Sequence, residues 1–382
     1  MRFTIPSKDL AKAMAMPVKA AAQKSPIPAL HCLLLNATAA ATPSGDGALT
    51  ITGGDGDAAV TTTAASIRAA EGGAACVDAK LFSDAVKALP EQPITVTATG
   101  NEAMIAYDGG EYHMPSYPAD EYPAMEKPAE ASTRTVHGAG EAIARAAAYA
   151  ATGDREVLHP ALGAVRVSLP EGGEAWEACG SDGASLFTCG GGAGHGQPLG
   201  PILIPARVAK MFTAFATDTL TFRVGKSATR VEGGVMSVTF RVIDGRYPNY
   251  HAVIPTSAPA AMMDIKAQDL IPALRRALAF APEGTSCVVI RSFAGKADAS
   301  AADNAYARSF REALPAERVT ADFMVGLDGQ RLLSTMQMFA ALTPDGAPVR
   351  VNFWAPDRAI TITPLFTPAE DGTTVLLMPI LI

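Results

Sequence analysis

Three times along the chain an extended apolar start leads into small and aliphatic residues at helical spacing, and then into a strand-like run. The phrase runs from Phe3-Thr4-Ile5 to Leu33-Leu34-Leu35, from Thr135-Val136-His137 to Val165-Arg166-Val167, and from Met263-Asp264-Ile265 to Val288-Val289-Ile290. A second phrase follows each time: a short β run, a charged residue, a helix and further strands. It opens at Val77-Asp78-Ala79-Lys80, at Ile204-Pro205-Ala206-Arg207 and at Val325-Gly326-Leu327-Asp328, offsets of 127 and 121 residues. A period of that size is a whole domain rather than a solenoid unit. The spacing predicts helices over 7–16, 79–89, 138–152, 206–216, 267–280 and 329–341, each followed by alternating runs that read as antiparallel strands.

Each domain is thus expected to carry two helices packed on antiparallel sheets, an α+β arrangement. Boundaries fall at 1–127, 128–256 and 257–382, with linkers over 127–132 and 255–259. Residues 292–318, Ala-rich and polar, yield no strand assignment. Three similar domains form an arc, and an arc that pairs with its own copy can close into a ring.

Composition narrows the classes. Hydrophobic residues make up 48% of the 382 and charged residues 18%, enough for packed cores and too few charges for a disordered chain. No run has the length of a signal peptide core or a membrane span. The five cysteines, Cys32, Cys76, Cys179, Cys189 and Cys287, are scattered, which reads as reduced thiols in a cytoplasmic protein. The net charge of −7 taken alone argues against nucleic acid. The distribution points the other way: the six helical windows hold ten basic and four acidic residues, +6, which leaves −13 on the remainder. If those helices line one surface, that surface attracts phosphate. Lys and Arg are also good helix formers, so the same bias has a bland origin.

Three strings stand out. Val242-Ile243-Asp244-Gly245-Arg246-Tyr247-Pro248-Asn249-Tyr250, followed by Val253-Ile254-Pro255, has a relative in Tyr117-Pro118-Ala119-Asp120-Glu121-Tyr122-Pro123. Asp-Gly and Tyr-Pro are turn chemistry, so both read as closures of a domain, while Pro248 and Val253 can also wall an apolar groove. The apolar C-terminus, Thr374-Val375-Leu376-Leu377-Met378-Pro379-Ile380-Leu381-Ile382, is either a buried last strand or the lining of a peptide pocket, where Met suits adaptable contacts. Ser181-Asp182-Gly183-Ala184-Ser185-Leu186 reads as a hairpin turn. Catalytic patterns are weak. Cys179, Cys189 and His195 lack metal spacing, and the Gly190–Gly194 stretch lacks the Lys-Ser/Thr of a phosphate loop. No cofactor and no metal are expected.

Taken in order, Lys24-Ser25-Pro26-Ile27-Pro28, the Ser181-Asp182-Gly183 turn, Val242–Tyr250 and Met378-Pro379 make the chain resemble the bacterial DNA polymerase III beta subunit, the beta sliding clamp family. The resemblance implies a DNA-clamp fold and a head-to-tail homodimer forming a ring. It implies a non-catalytic processivity role in DNA replication: the ring encircles double-stranded DNA without reading sequence. The implied partners are the DNA polymerase III alpha subunit, the clamp loader, translesion polymerases and repair proteins, all docking through short Gln- and Leu/Phe-bearing peptides. By position, the DNA-facing cations are Lys24, Lys80, Arg155 and Arg207. The peptide pocket is Ala161, Ser181, Gly183, Leu186, Pro248, Val253, Leu376, Met378, Pro379 and Ile380. The dimer contact pairs Tyr112 and Met114 with Ala279 and Phe280. The chain departs from the family at Leu158, at Ala184-Ser185 and at Ile380-Leu381-Ile382, which makes the expected pocket more apolar. The alternatives are a clamp paralogue acting as an interaction scaffold without DNA, and an enzyme using the Cys179–His195 region.

Overall fold

The computed structural model describes residues 1–39, 47–123, 125–129, 131–169, 175–282, 284–303, 305–343, 346–365 and 372–382. Along them one element order recurs three times: a strand, a helix, four strands, a helix and three strands. It spans Arg2 to Pro118, Ser132 to Arg241 and Ala261 to Leu377. The second and third passes each insert a two-residue strand at the same point, His195–Gly196 and Arg318–Val319.

The helices follow from spacing and from what stops them. Helix α1 (Ser7–Ala20) buries Leu10, Met14 and Pro17, one stripe at i, i+4 and i+7. Helix α2 (Ala79–Lys87) starts where the Asp78 carboxylate accepts the Leu81 amide at 2.7 Å, and it buries Phe82 and Val86. Helix α3 (Ala139–Ala146) is shorter than the predicted 138–152. Its end tightens into i→i−3 bonds, with the Ala148 amide on the Arg145 carbonyl and the Tyr149 amide on Ala146, and the Ala151 amide turns away to Leu162. A separate turn of helix, α4 (Asp154–Leu158), follows Gly153 at φ +63°. Helix α5 (Ala206–Ala209) passes into a 3₁₀ turn over Lys210–Ala214, so the window 206–216 is helical but not one α-helix. Helices α6 (Ala267–Leu278) and α7 (Gly329–Leu342) match their predicted windows closely.

The chain divides into two compact units, residues 1–140, 194–199 and 211–242, and residues 141–193, 200–210 and 243–382. In the first, thirteen strands form one ladder, in which Arg2–Pro6 pairs with both Pro93–Thr99 and Ala58–Glu71. That double pairing closes the first eight strands on themselves. Phe3, Leu10, Met14, Leu33, Leu35, Ile51, Phe82 and Ile105 fill one core between α1, α2 and this sheet. In the second unit a nine-stranded sheet and a four-stranded sheet accompany α6 and α7, whose Leu270, Leu274, Leu332, Met336 and Phe339 are buried.

The stretch 292–318 does form strands, Lys296–Asp303 and Arg308–Leu314. In the first the alternation is carried by Ala297, Ala299 and Ala301, residues with little β preference that hide the period. Arg291 and Arg311 both pair with Asp298, and Arg308 pairs with Asp303. Residues 40–46, and residue 130 of the expected linker over 127–132, lie outside the described residues.

Two glycines let sheet and helix approach. A Cβ on Gly53 would overlap the Pro17 carbonyl oxygen at the end of α1, and one on Gly180 would overlap the Ala146 carbonyl oxygen at the end of α3. Backbone on both sides leaves nothing flexible to yield. Gly180→Ala is expected to cost about 2–4 kcal/mol, read as a lowered urea midpoint with an unchanged m-value.

Candidate functional site

The turn at 181–185 is fixed by its own side chains. Asp182 Oδ1 accepts the amides of Ala184 at 3.0 Å and Ser185 at 2.7 Å, and also the Ser185 hydroxyl at 3.0 Å. Ser181 Oγ donates to the Ser185 carbonyl and accepts the Gly183 amide. Gly183 takes φ +85°, a conformation that favours glycine. Two guanidinium groups close on this turn. Arg155 Nη1 donates to the Asp182 carbonyl at 2.9 Å. Arg331, from α7, donates through Nη1 to Asp182 Oδ2 and to Ser185 Oγ, and through Nε to Asp328. Burial alone would raise the Asp182 pKa, but the two amides and Arg331 outweigh it and hold the carboxyl below the usual aspartate range.

Beside the turn lies an apolar floor. Leu186, Leu376, Tyr247, Tyr250, Leu203 and Cys179 are buried together, with Ala161 and Ile254 packed against them. Arg166 donates to the Tyr250 hydroxyl at 2.9 Å, and Tyr247 Oη donates to the Cys179 carbonyl at 3.4 Å. Met378 stands at the rim, 46% exposed, with its amide on the Ala184 carbonyl at 2.9 Å. Pro248 and Val253 are exposed on either side of Tyr250 in sequence. Pro379 and Ile380 run on to the strand Phe323–Asp328, where the Ile380 amide bonds Gly326. A cavity of about 170 Å³ opens at Ser185, lined by Tyr149, Arg331, Ser334 and Met338 among others. Tyr149 is held there by Thr335 at 3.0 Å and by stacking on Phe187.

The structure therefore gathers Ala161, Ser181, Gly183, Leu186, Leu376 and Met378 around one turn and floor. Sequence reading missed Arg331 and Tyr149. Tyr149 had a local signal, as the one aromatic residue in the Ala-rich run at 146–151. Arg331 had none, since it reaches the turn from 146 residues away in sequence.

The four expected phosphate-facing cations, Lys24, Lys80, Arg155 and Arg207, are all exposed. Lys80 and Arg207 occupy the first turns of α2 and α5. A cation there opposes the helix dipole, so these positions cost stability and add to an already positive end. Arg155 is partly spent on the Asp182 carbonyl. Four of the other helix cations are paired: Lys8 with Glu91, Arg145 with Glu141, Arg276 with Glu312 and Arg331 with Asp182 and Asp328.

Of the expected dimer residues, Tyr112 is half-buried against Tyr107 and Phe280 is 37% exposed, stacked on Phe310. Ala279 caps α6 and is exposed. Met114 is only 5% exposed and points into the core of its own unit, so its side chain is unavailable to a partner. Burial pushes the Cys179 thiol up to about 12, which leaves it protonated and unsuited to nucleophilic work at neutral pH.

Residues 1–126 match the model of the DNA polymerase III beta subunit, N-terminal domain. The chain is 28% identical over 300 residues to the beta sliding clamp of Micrococcus luteus, covering 75% of this chain and 90% of that protein. It is 23% identical over 260 residues to that of Escherichia coli K12, covering 67% and 68%. Its first 126 residues thus match that domain family, and the likeness to beta sliding clamps extends over three quarters of the chain. Among solved structures, the chain matches the beta chain of DNA polymerase III from Streptococcus pneumoniae TIGR4 with a TM-score of 0.86 at 17% identity. It matches a sliding clamp from Pseudomonas aeruginosa bound to griselimycin with 0.84 at 18%; in both cases all of each chain is covered.

Within that fold, the departures seen in sequence acquire a physical reading. Ala184-Ser185 bring no cation to the turn, yet Arg331 and Arg155 deliver two guanidinium groups to it from α7 and α4. The Asp182 pKa is depressed in the folded chain, so its contribution to stability is present above the ordinary value of 3.8 and is lost as pH falls through the lower folded value. Arg331→Leu should move the Asp182 titration upward in a carboxyl-detected NMR series. An unmoved titration would show that the amides alone set it.

Proposed function

We propose that this chain is a DNA sliding clamp, a processivity subunit that encircles duplex DNA as a head-to-tail homodimer and docks replication and repair proteins through short peptides. The carrying observation concerns strand edges. The last strand of the second element repeat, Met236–Arg241, pairs with Ala58–Glu71 of the first. The last strand of the third repeat, Thr374–Leu377, pairs with Ser185–Ala193 of the second. By the same rule two strands are left over: Gly110–Pro118, the last of the first repeat, and Arg308–Leu314, the matching strand of the third.

The first leftover is an open edge over residues 111–114, where the closed ladder gapes, and the second is an open edge along its length. Among the described residues, 111–114 pair with Glu102–Tyr107 alone, 116–118 pair also with Gly73–Asp78, and Arg308–Leu314 ends its sheet. Unpaired edges invite another chain. Joining Gly110–Pro118 of one protomer to the partner's matching edge repeats the ladder a third time and leaves no edge of this kind open. A heterologous contact of this sort closes when its rotation completes the circle. Tyr112 would meet the Phe280–Phe310 side of the partner.

On this reading the chain has three clamp domains, 1–127, 128–256 and 257–382, and works in the cytoplasm without chemistry of its own. Lys24, Lys80, Arg155 and Arg207 face the phosphates, and the floor of Leu186, Leu376 and the tyrosines, with Pro248, Val253, Met378, Pro379 and Ile380 around it, receives the peptides of the polymerase and the loader. A sliding contact has to be loose, so scattered cations serve better than a dense patch.

Clamp loaded on nicked circular DNA should be retained through gel filtration and released when the circle is cut. Equal retention on both forms would favour a scaffold that does not encircle DNA. The triple variant Lys24→Glu, Lys80→Glu, Arg207→Glu should lower the salt slope of DNA binding by roughly 2–3 per protomer. An unchanged slope would remove these residues from the DNA surface.

A further inference from the structure

The turn-and-floor construction at 181–186 occurs a second time, in the first unit. Pro28-Ala29-Leu30 and Pro160-Ala161-Leu162 stand at the same distance before the strands Cys32–Thr38 and Ala164–Leu169. The Leu30 amide bonds the Ile27 carbonyl at 3.1 Å as the Leu162 amide bonds that of His159 at 2.9 Å. The Leu30 carbonyl accepts the Ala22 amide as the Leu162 carbonyl accepts that of Ala151. Asp55 Oδ1 accepts the amides of Asp57 and Ala58 at 3.0 and 2.9 Å, the same cap that Asp182 makes, and Gly56 takes φ +97° where Gly183 takes +85°. The Arg241 amide then bonds the Asp57 carbonyl at 3.0 Å, in the place of Met378 on Ala184.

This second construction borders hollows of its own. A hollow of about 490 Å³ is lined by Ile27, Leu30, Pro123, Met125, Glu126 and Arg241, among others. A neighbouring hollow of about 350 Å³ also has Ile27 on its wall, with Tyr117 and Glu121. Both lie within the range of ligand pockets. Ile27, 48% exposed, thus serves both hollows. Of the charged side chains lining them, Arg241 is held by Asp57 at 3.6 Å and by the Gly56 carbonyl at 3.2 Å. Glu121 and Glu126 are exposed and make no ion pair among the described residues. The site is apolar with an acidic rim.

We propose that the two hollows sharing Ile27 form a second peptide-docking site. Its occupant is a short extended peptide that seats one bulky apolar side chain in each hollow and sets a Lys or Arg against Glu126 or Glu121. The inference rests on the reading of the 181–186 groove as a peptide site, because the two share their construction. It differs in selectivity: the acidic rim favours basic peptides, where the first groove presents Arg331 and Arg155.

The test uses the full-length chain and a fluorescein-labelled hexapeptide, Lys-Gln-Leu-Ser-Leu-Phe, with stoichiometry from calorimetry and affinity from anisotropy. Two peptides should bind per chain. Ile27→Glu should remove one and spare the other, and Met378→Glu should do the reverse. Glu126→Lys, at an exposed position that leaves the fold alone, should weaken only the site around Ile27, by about threefold, the worth of one exposed ion pair. One peptide per chain, lost in Met378→Glu and untouched by Ile27→Glu and Glu126→Lys, would overturn the second site and leave the first standing. One peptide lost only in Ile27→Glu and Glu126→Lys would uphold the second site and overturn the first. No binding at all would overturn both.

Discussion

The ladder that joins one repeat to the next is the constraint on which the rest depends. Met236–Arg241 on Ala58–Glu71, and Thr374–Leu377 on Ser185–Ala193, are main-chain pairings in fixed register. They leave no slack, because a slip of one residue would turn every side chain of the strand to the other face. The same pairings bring a strand end, Arg241 or Met378, against an Asp-Gly turn, and so build a hollow wherever two repeats meet. They also explain why the chain divides into two compact units and not into three. The middle repeat shares a ladder with each neighbour, and the division runs through it.

Much of this was legible in sequence, for reasons of side-chain size. Leu10, Met14, Phe82, Val86, Leu270, Leu274, Leu332 and Met336 repeat at helical spacing and mark their helices unambiguously. Legibility failed where alanine replaced larger residues. An Ala run favours helix without saying where it stops, so the window 138–152 overruns α3; a tertiary bond from Ala151 to Leu162 ends the helix earlier. Lys296–Asp303 escapes detection because its buried face is Ala297, Ala299 and Ala301. The groove was legible in its turn and rim, Ser181, Gly183 and Met378, since those carry local chemistry. Its charge was not, since Arg331 enters from a remote helix.

The helix charge excess is smaller in effect than a count suggests. Lys8, Arg145, Arg276 and Arg331 each have a carboxylate within ion-pair distance, and such pairs contribute little to stability at the surface while cancelling the field beyond it. What remains informative is placement. Lys80 and Arg207 sit in first turns, where a carboxylate would stabilise the helix and a cation does not. The helix dipole does not account for them; the proposed clamp role, in which they face phosphate, does.

The groove follows the same logic from the other side. Without a cation at positions 184 and 185, the Asp182 carboxylate, 12% exposed, needs its counter-charge from elsewhere. A buried carboxylate without partners is costly. Arg331 resolves that cost, and because its Nη1 is shared between Asp182 and Ser185 while Nε holds Asp328, the guanidinium is fixed in place. A fixed, largely neutralised cation beside an apolar floor selects by shape more than by charge. The counterpart around Ile27 reverses the balance, with Arg241 tied to its own turn and two glutamates at the rim. One backbone design, repeated, thus presents two surroundings of different charge, one close to neutral and one acid-rimmed, and side-chain chemistry alone sets them apart.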